Sequence, residues 1–277
     1  MTQQIIIFGA NGMLGTYLSQ YLCSRYQVIR ITRSEYDIMV HNWTYLEELL
    51  LKHKIDQNTI VINAIGTIPQ AAKNHALNNT MYIKINSIFP NILAMLCDKY
   101  HAHMIHSTTD CVFDGLKGIY KEDDNHTASD IYGITKSLGE PTSCTVIRTS
   151  IIGEECINKR SLLEWVRSTA NGNINGYVNH YWNGITCLQY AKIVDQIIEN
   201  NMFWQGVRHI FSPKSVTKYE LVSMMNEIYQ LDIVITEYAT DETCDRSLMS
   251  NYDMLFEIPD LEQQIVEMEG YVLHSMT

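Results

Sequence analysis

The sequence predicts an α/β protein, with a doubly wound parallel sheet followed by a smaller C-terminal lobe. Short apolar runs alternate with amphipathic stretches through the first half of the chain, and a glycine-rich segment directly follows the first apolar run. Apolar strands separated by helices are typical of a parallel sheet that is covered on both faces. After about residue 150 the alternation weakens and Asn, Gly and Trp become frequent, which predicts the second lobe.

Each element of the first half follows from the spacing of its apolar residues. A continuous apolar run predicts a buried strand, and apolar residues three or four apart predict a helix packed on one face. The predicted strands are residues 5–8, 27–32, 59–65, 103–107 and 145–150. The predicted helices are residues 13–24, 43–52, 83–99 and 132–140.

The chain is predicted to fold as a core domain and a substrate lobe. Residues 1–150 form the predicted core, and a segment at about 185–212 is predicted to return to it. Residues 151–184 and 213–277 form the predicted lobe, in which residues 172–186 are predicted as a loop. A chain of 277 residues is long enough to bury a hydrophobic core in such an arrangement.

Composition and charge exclude several classes of protein. A hydrophobic fraction of 46% excludes a disordered chain. A net charge of −11 argues against a nucleic-acid binder, whose affinity depends on pairing basic side chains with phosphates. No basic segment precedes the first strand and no apolar run reaches the length of a membrane span, so neither a signal peptide nor a membrane anchor is expected. The seven cysteines form no CxxC pair, which favours a reducing, cytoplasmic location.

A GxxGxxG segment joins the first predicted strand to the first predicted helix. Its residues are Gly9, Ala10, Asn11, Gly12, Met13, Leu14 and Gly15. Glycine permits positive φ and lets backbone N–H groups approach a pyrophosphate, while the helix N-terminus adds partial positive charge. A dinucleotide-binding motif requires this position between strand and helix. We therefore predict a nicotinamide dinucleotide site, with a tight ligand-free βα turn as the alternative.

The end of the second predicted strand distinguishes between the two nicotinamide cofactors. NAD binders usually place an acidic residue there for the ribose 2′-hydroxyl, whereas this strand ends at Arg33. A guanidinium suits the 2′-phosphate of NADPH, which is the predicted cofactor, and a solvated surface arginine is the alternative. Asp37 and Ile38 are predicted to border the adenine. Three residues at the end of the third predicted strand complete the predicted cofactor site: Asn63, Ala64 and Ile65.

Tyr132 and Lys136 form a YxxxK motif on a predicted helix. Residues four apart share one helix face, so the Lys136 ammonium is expected beside the Tyr132 phenol. Because a nearby cation favours the phenolate, Lys136 is expected to lower the pKa of Tyr132. Upstream, the end of the fourth predicted strand carries Ser107, Thr108 and Thr109, and a hydroxyl there is predicted to bind the carbonyl oxygen of a substrate.

Together these motifs resemble the extended short-chain dehydrogenase/reductases. The stretches STTDCVFDG, IYGITKSLGE and VIRTSIIG are similar to STDxVFDG, YGxxKxxGE and LRTS of the dTDP-4-dehydrorhamnose reductase branch. The resemblance implies a Rossmann-type core with a substrate lobe, catalytic roles for Thr109, Tyr132 and Lys136, and Asn86 as a fourth, supporting residue. Tyr132 and Lys136 are also expected to contact the cofactor, with Lys136 binding the nicotinamide ribose. It also implies a nucleotide-linked 4-keto-6-deoxy sugar as substrate, and a homodimer.

Cys111 departs from this branch, in which an aromatic residue commonly fills its place. Thr109 and Cys111 together resemble GDP-L-fucose synthase, which epimerises before it reduces, and the matching histidine is His180. In an extended segment residues i and i+2 point to the same side, so both are expected to face the site. A C-4 ketone acidifies the C-3 proton, which a thiol and an imidazole can remove and return. An inert buried thiol and a loop histidine are the alternatives.

Residues 164–184 resemble the substrate region of relatives that act on UDP-linked 2-acetamido-2,6-dideoxy-4-keto hexoses. Asn179 and Trp182 are predicted to contact this substrate by hydrogen bonding and stacking, and a role in holding the loop together is the alternative. Arg246 resembles the late arginine of the family that meets the nucleotide diphosphate, with a surface salt bridge as the alternative. The histidines lack nearby carboxylates at metal-ligand spacing, so no metal is predicted.

The sequence thus predicts an NADPH-dependent reductase of a nucleotide-linked 4-keto-6-deoxy hexose, UDP-linked and with C-3 epimerase activity, in deoxysugar biosynthesis. Two alternatives remain open. One is a dTDP-4-dehydrorhamnose reductase without epimerase activity, and the other is a non-catalytic NADP-binding regulatory subunit. Intact Thr109, Tyr132 and Lys136 argue against the regulatory subunit, which need not keep all three.

Overall fold

The computed structural model describes residues 3–69, 78–157 and 159–274. The strands are β1 (Gln4–Phe8), β2 (Gln27–Ile31), β3 (Thr59–Asn63), β4 (His103–Thr108), β5 (Thr145–Arg148), β6 (Ile151–Ile152), β7 (Asn173–Tyr177), β8 (His180–Trp182), β9 (Ile185–Thr186), β10 (Gly206–His209), β11 (Val216–Thr217), β12 (Val234–Tyr238) and β13 (Cys244–Asp245). The helices are α1 (Met13–Leu22), α2 (Trp43–Lys52), α3 (Asn79–Tyr82), α4 (Phe89–Lys99), α5 (Ile131–Leu138), α6 (Leu162–Ser168), α7 (Cys187–Glu199), α8 (Lys218–Ile228) and α9 (Leu261–Glu269). A π-helical turn (Ile83–Ile88) joins α3 to α4, and a 3₁₀ turn (Asp110–Val112) follows β4.

The centre of the fold is a sheet of six parallel strands in the order β10-β5-β4-β3-β1-β2. Successive side chains of a strand point to opposite faces, and both faces of β1 are buried. Ile5 and Ile7 pack in the cluster that contains α1 and α7. Ile6 and Phe8 pack in the cluster that contains α2 and α4. The observed sheet, with helices on both faces, confirms the predicted doubly wound parallel sheet. Its strands are continuous apolar runs in the sequence because both of their faces are buried.

The predicted helix at 83–99 begins earlier, with α3, and contains a π-helical turn. Pro90, at the start of α4, explains the π-helical turn. Pro90 has no N–H for the Asn86 carbonyl and its ring would press on that carbonyl, so the preceding turn widens. The Phe89 amide accordingly donates to the Lys84 carbonyl, five residues back. The other elements predicted for the first half are present with ends shifted by up to two residues.

The structure differs from the predicted loop at residues 172–186, which contains β7, β8 and β9. β7 pairs with β12, β8 lies between β11 and β13, and β9 pairs with β6. Alternate residues of β7 are buried, as expected for a strand with one face exposed to solvent. Most of the partner strands come from later parts of the chain, so the local composition of this segment did not indicate strand pairing.

The segment at 185–212 lies with the sheet, because α7 packs on α1 and β10 pairs with β5. One hydrophobic cluster extends from the sheet into α6, α8 and α9. The division of the chain into a core and a separate lobe therefore stays a prediction. In the described residues, no helix combines the length and the apolar character that crossing a bilayer would need.

Candidate active site

A cavity of about 670 Å³ lies at the carboxyl ends of the central strands. This edge of a parallel sheet is where ligands bind in doubly wound folds. Residues that follow β1, β3, β4 and β5 line it, together with α5 and the loop before α6. The predicted site residues among its lining are Gly12, Met13, Leu14, Ala64, Ile65, Thr109, Cys111, Tyr132, Lys136 and Arg246.

The glycine-rich turn has a backbone that side chains would disrupt. Gly9 has a φ of +79°, and a Cβ at Gly15 would lie 2.1 Å from the Gly9 carbonyl oxygen. Gly12 begins α1 without a side-chain cap, and the first turn of the helix contains no acidic residue. The first N–H groups of α1 thus meet the cavity without a competing side-chain acceptor. These features fit the pyrophosphate of a dinucleotide.

Replacing Gly15 by alanine is expected to weaken NADPH binding about tenfold or more. The new Cβ would displace the Gly9 carbonyl and so move the turn that faces the pyrophosphate. Titration calorimetry with NADPH measures this effect. Gly270→Ala is the matched variant, since the nearest atom to its Cβ would be 3.7 Å away. Equal NADPH affinity in Gly15→Ala and the wild type would contradict the assignment.

The predicted adenosine end of the cofactor site lies outside the cavity lining. Arg33 is exposed, and its Nε lies 2.8 Å from an Asp37 carboxylate oxygen. The Ile38 side chain is buried in the sheet core, which leaves only its backbone for a ligand. The Asn11 amide oxygen accepts a hydrogen bond of 2.6 Å from Arg30. Contact between Arg33 and a 2′-phosphate stays a prediction.

Asn63 holds the backbone after β3 in place beside the cofactor site. Its amide oxygen accepts a hydrogen bond from the Ile65 N–H at 3.0 Å, and its amide nitrogen lies 3.1 Å from His106 Nδ1. Both Asn63 and His106 are almost fully buried. Asn63 therefore fixes the course of the backbone after β3, where Ala64 and Ile65 line the cavity.

Thr109, Tyr132 and Lys136 meet in the cavity as predicted. The Lys136 ammonium donates to the Ser107 carbonyl at 2.9 Å, and burial lowers the pKa of Lys136 to about 8. Burial raises the pKa of Tyr132 and Cys111 raises it further, whereas the Thr109 hydroxyl lowers it. The expected lowering of the Tyr132 pKa by Lys136 is not found, because burial dominates.

Asn86 contacts α5 through a side-chain hydrogen bond and through its backbone. Its side chain is buried in the π-helical turn, where its amide oxygen accepts from the Thr67 N–H at 2.9 Å. Its amide nitrogen donates to the Thr67 carbonyl and, at 3.4 Å, to the Thr135 hydroxyl in α5. A Cβ at Gly139 would lie 1.8 Å from the Asn86 carbonyl oxygen, so α5 ends in close contact with this turn. Asn86 thus has a supporting position rather than a place in the cavity lining.

Cys111 lies in the 3₁₀ turn, so the expected extended geometry at this position is wrong. The Cys111 N–H donates to the Thr109 hydroxyl at 3.2 Å, which closes the turn. Both side chains nevertheless line the cavity. Burial raises the pKa of Cys111 to about 12, Asp110 adds to this, and Arg246 opposes it. The residue is therefore a thiol at neutral pH.

Three residues predicted to meet the substrate lie outside the cavity lining. The Asn179 amide binds the Thr240 backbone, with bonds of 2.8 Å to its carbonyl and 3.1 Å from its N–H. His180 Nε2 lies 2.8 Å from the Thr240 hydroxyl. Trp182 is 3% exposed and belongs to the hydrophobic core. Their contacts hold β8 and the segment before β13 in place, and their roles toward substrate stay predictions.

The sequence analysis missed several polar residues of the cavity. One group lies at or directly after the ends of β4 and β5, and the carboxyl-end rule for parallel sheets is the signal that indicates it. A second group precedes α5 and α6, where no motif points to the site. The missed polar residues are Ser107, Thr108, Asp130, Thr149, Ser150, Glu155, Arg160 and Ser161.

The parallel sheet, the glycine-rich turn and the Thr109, Tyr132 and Lys136 constellation define an extended short-chain dehydrogenase/reductase. Within this class the chain belongs to the family described as the RmlD substrate binding domain, whose model matches residues 3–232.

Named relatives agree with this membership. The chain is 31% identical over 268 residues to the spore coat polysaccharide biosynthesis protein SpsK of Bacillus subtilis, covering 91% of this chain and 88% of that protein. It is 28% identical over 232 residues to a dTDP-4-dehydrorhamnose reductase of Aggregatibacter actinomycetemcomitans, covering 78% and 76%. A dTDP-4-dehydrorhamnose reductase structure from Bacillus anthracis, in complex with NADP, has a TM-score of 0.81 at 19% identity, covering 97% and 99%.

Proposed function

We propose that this protein is an NADPH-dependent reductase of a nucleotide-linked 4-keto-6-deoxy hexose, acting in deoxysugar biosynthesis. The observation that carries the proposal is the meeting of Thr109, Tyr132 and Lys136 in one cavity with the N-terminus of α1. The relative from Aggregatibacter is named as such a reductase, and the structural relative from Bacillus anthracis is in complex with NADP. The assembled catalytic residues weigh against a non-catalytic regulatory subunit.

The catalytic residues have distinct tasks in this reaction. Bound at the glycine-rich turn, NADPH would supply the hydride that reduces C-4. The Tyr132 phenol is protonated at neutral pH, because burial raises its pKa, and it donates its proton to the C-4 oxygen. Thr109 orients that oxygen by a hydrogen bond. Lys136, fixed by the Ser107 carbonyl, supplies positive charge near the phenol.

We further propose that the enzyme epimerises C-3 before reduction. Cys111 lines the cavity beside Thr109, and as a thiol it can return a proton to C-3. His180 is the proposed base, since burial lowers its pKa and Lys218 and Arg246 lower it further, leaving a neutral imidazole. His180 has to exchange its contact with Thr240 for the substrate to take this role.

The nucleotide is proposed to be UDP, and the sugar a 2-acetamido derivative, because residues 164–184 resemble the substrate region of relatives that act on such sugars. The dTDP-linked substrate in the name of the Aggregatibacter relative supports the second candidate, a dTDP-4-dehydrorhamnose reductase without epimerase activity. Arg246 lines the cavity and is proposed to bind the diphosphate in either case.

The homodimer is likewise a proposal. Exposed apolar side chains lie on the two helices that flank the catalytic edge, at Met95 in α4 and at Ile134 and Leu138 in α5. Burying such residues between two copies would remove apolar surface from water.

A substrate panel tests the reductase. UDP- and dTDP-linked 4-keto-6-deoxy hexoses, with and without a 2-acetamido group, are offered with NADPH, and its oxidation is followed at 340 nm (roughly the absorbance maximum of reduced nicotinamides). Oxidation with at least one of these sugars and not with the matching 4-hydroxy sugar is expected. If none is reduced, the proposed function is wrong.

Running the same reaction in D₂O tests the epimerase. Deuterium at C-3 of the product is expected with the wild type, and Cys111→Ser is expected to lower this uptake by about 10²-fold, since a hydroxyl is a poorer acid than a thiol. Mass spectrometry and NMR of the product measure it, and Cys23→Ser, at an exposed cysteine, is the matched variant. Reduction without C-3 deuterium would leave the simple reductase as the function.

A further inference from the structure

Arg160 is a basic residue of the cavity lining whose charge has no partner in the described part of the chain. It lies in the loop between β6 and α6. Its backbone N–H donates to the Glu155 carboxylate, whereas its half-buried side chain makes no hydrogen bond, ion pair or ring contact with the residues that the structure describes. A guanidinium that is partly removed from water is stabilised most by an anion, which it can bind with two parallel N–H groups. Arg160 is therefore a candidate for contact with a charged group of a ligand.

The loop that carries Arg160, residues 153–161, is closed at its base. The Ser161 hydroxyl donates to the Gly153 carbonyl at 2.9 Å, so the two ends of the loop meet. The Glu155 carboxylate accepts from the Arg160 N–H, which folds the loop back on itself. Because these bonds fix the backbone at Arg160, only its side chain has to be ordered when a ligand binds.

This loop lies against α1, the helix that begins at the glycine-rich turn. The Tyr17 hydroxyl accepts a hydrogen bond of 3.3 Å from the Glu154 N–H. A Cβ at Gly153 would lie 3.2 Å from a ring carbon of Tyr17. Tyr17 is one helical turn beyond Met13, which lines the cavity together with Arg160. The base of the loop thus packs about one turn away from the α1 N–H groups that meet the cavity.

The glycine-rich turn supplies no side-chain cation to this end of the cavity. Residues 9–22 contain neither lysine nor arginine. Arg30 binds the Asn11 amide oxygen at 2.6 Å, and neither residue lines the cavity. Lys136 lines it, but its ammonium is bonded to the Ser107 carbonyl at the end of β4. At the turn itself, only backbone N–H groups and the partial charge of a helix N-terminus would face a doubly charged pyrophosphate.

A second arginine of the cavity lining, Arg246, is held by a different element. Its Nε donates to the Phe113 carbonyl at 2.9 Å, and a Cβ at Gly115 would lie 3.2 Å from its Cγ. Arg246 is therefore anchored to the segment after β4, whereas the loop of Arg160 is anchored to α1. Loss of Arg160 should accordingly affect the cofactor and leave binding of the substrate nucleotide unchanged.

We propose that Arg160 binds the pyrophosphate of NADPH and completes the site that begins at the glycine-rich turn. The inference rests on the proposed NADPH-dependent function, and it names the residue that supplies positive charge to the cofactor. The N–H groups of α1 bind one side of the pyrophosphate, and the Arg160 guanidinium pairs with its remaining oxygens. Residues 153–161 are then a part of the cofactor site that lies outside the glycine-rich motif.

Titration calorimetry on the full chain tests the proposal, with NADPH, 2′-phospho-ADP-ribose, UDP and dTDP as probes. Arg160→Met is expected to raise the Kd for NADPH about tenfold, because a charge-assisted contact with phosphate is lost. The Kd for 2′-phospho-ADP-ribose, which has the pyrophosphate but no nicotinamide, is expected to rise by the same factor. The Kd values for UDP and dTDP should stay the same. Arg160→Lys should keep part of the NADPH affinity, since it retains the charge and loses the paired donors.

Lys159→Met is the matched variant, because it removes the same charge from the neighbouring, exposed residue of this loop, which lies outside the cavity lining. Its NADPH affinity should equal that of the wild type. Thermal unfolding shows whether each variant is folded, and Arg160→Gln replaces Arg160→Met if that variant is not.

Three results would overturn the role of Arg160 alone. They are a loss of NADPH affinity no larger than in Lys159→Met, a loss confined to UDP and dTDP, and a loss with NADPH that 2′-phospho-ADP-ribose does not share. A wild type that binds no NADPH would overturn the proposed NADPH-dependent function as well.

Discussion

Tyr132→Phe is expected to lower kcat by about 10²–10⁴-fold while leaving the fold unchanged. The substitution removes the one phenol that lines the cavity among the described residues. The phenylalanine ring keeps the packing of the tyrosine ring, so α5 is expected to stay intact. Steady-state NADPH oxidation with the substrate identified in the panel measures the loss.

Tyr252→Phe provides the comparison, because Tyr252 is an exposed tyrosine outside the cavity lining. It should turn over at the wild-type rate. Normal turnover in Tyr132→Phe would mean that another group protonates the C-4 oxygen, and the assignment of the catalytic constellation would then be wrong.

Glu140→Gln is expected to lower the free energy of unfolding by about 3 kcal/mol. Arg148 is 1% exposed, and its guanidinium binds the Glu140 carboxylate through Nε at 3.0 Å and through a terminal nitrogen at 2.6 Å. His209 and His126 occupy the remaining directions, at 2.8 and 2.7 Å from the guanidinium nitrogens. With the carboxylate gone, a buried arginine has no negative charge beside it.

Urea unfolding at neutral pH measures this loss. Asp260→Asn makes the same chemical change in the exposed pair with Lys214 and should cost less than about 1 kcal/mol. A loss in Glu140→Gln no larger than that in Asp260→Asn would show that the histidines and backbone suffice to hold Arg148. The Glu140→Gln, Arg148→Met double variant isolates the pair, since it removes both charges together.

The sequence predicts the core of this protein well because the information there is local. Four apolar residues from Ile5 to Phe8, followed at once by glycine, specify a buried strand and a tight turn within a dozen positions. The spacing of Tyr132 and Lys136 is likewise a property of one helix. The predicted fold class and family are confirmed by the sheet and by the family match.

Prediction is weaker where distant segments decide the structure. The strands at residues 172–186 pair mostly with partners far along the chain, so their composition suggested a loop. From the sequence, the Asn179 amide was expected to be available to a substrate. In the structure its nitrogen donates to the Thr240 carbonyl and its oxygen accepts from the Thr240 N–H.

The strand order of the main sheet has a consequence for synthesis of the protein on the ribosome. β10, at Gly206–His209, forms one edge of the sheet, so the sheet cannot be completed until about three quarters of the chain has emerged. β13 and Arg246 arrive later still. A nascent chain therefore contains the glycine-rich turn and Tyr132 well before Arg246 can complete the cavity lining. We expect ligands to bind only after Arg246 has left the ribosome.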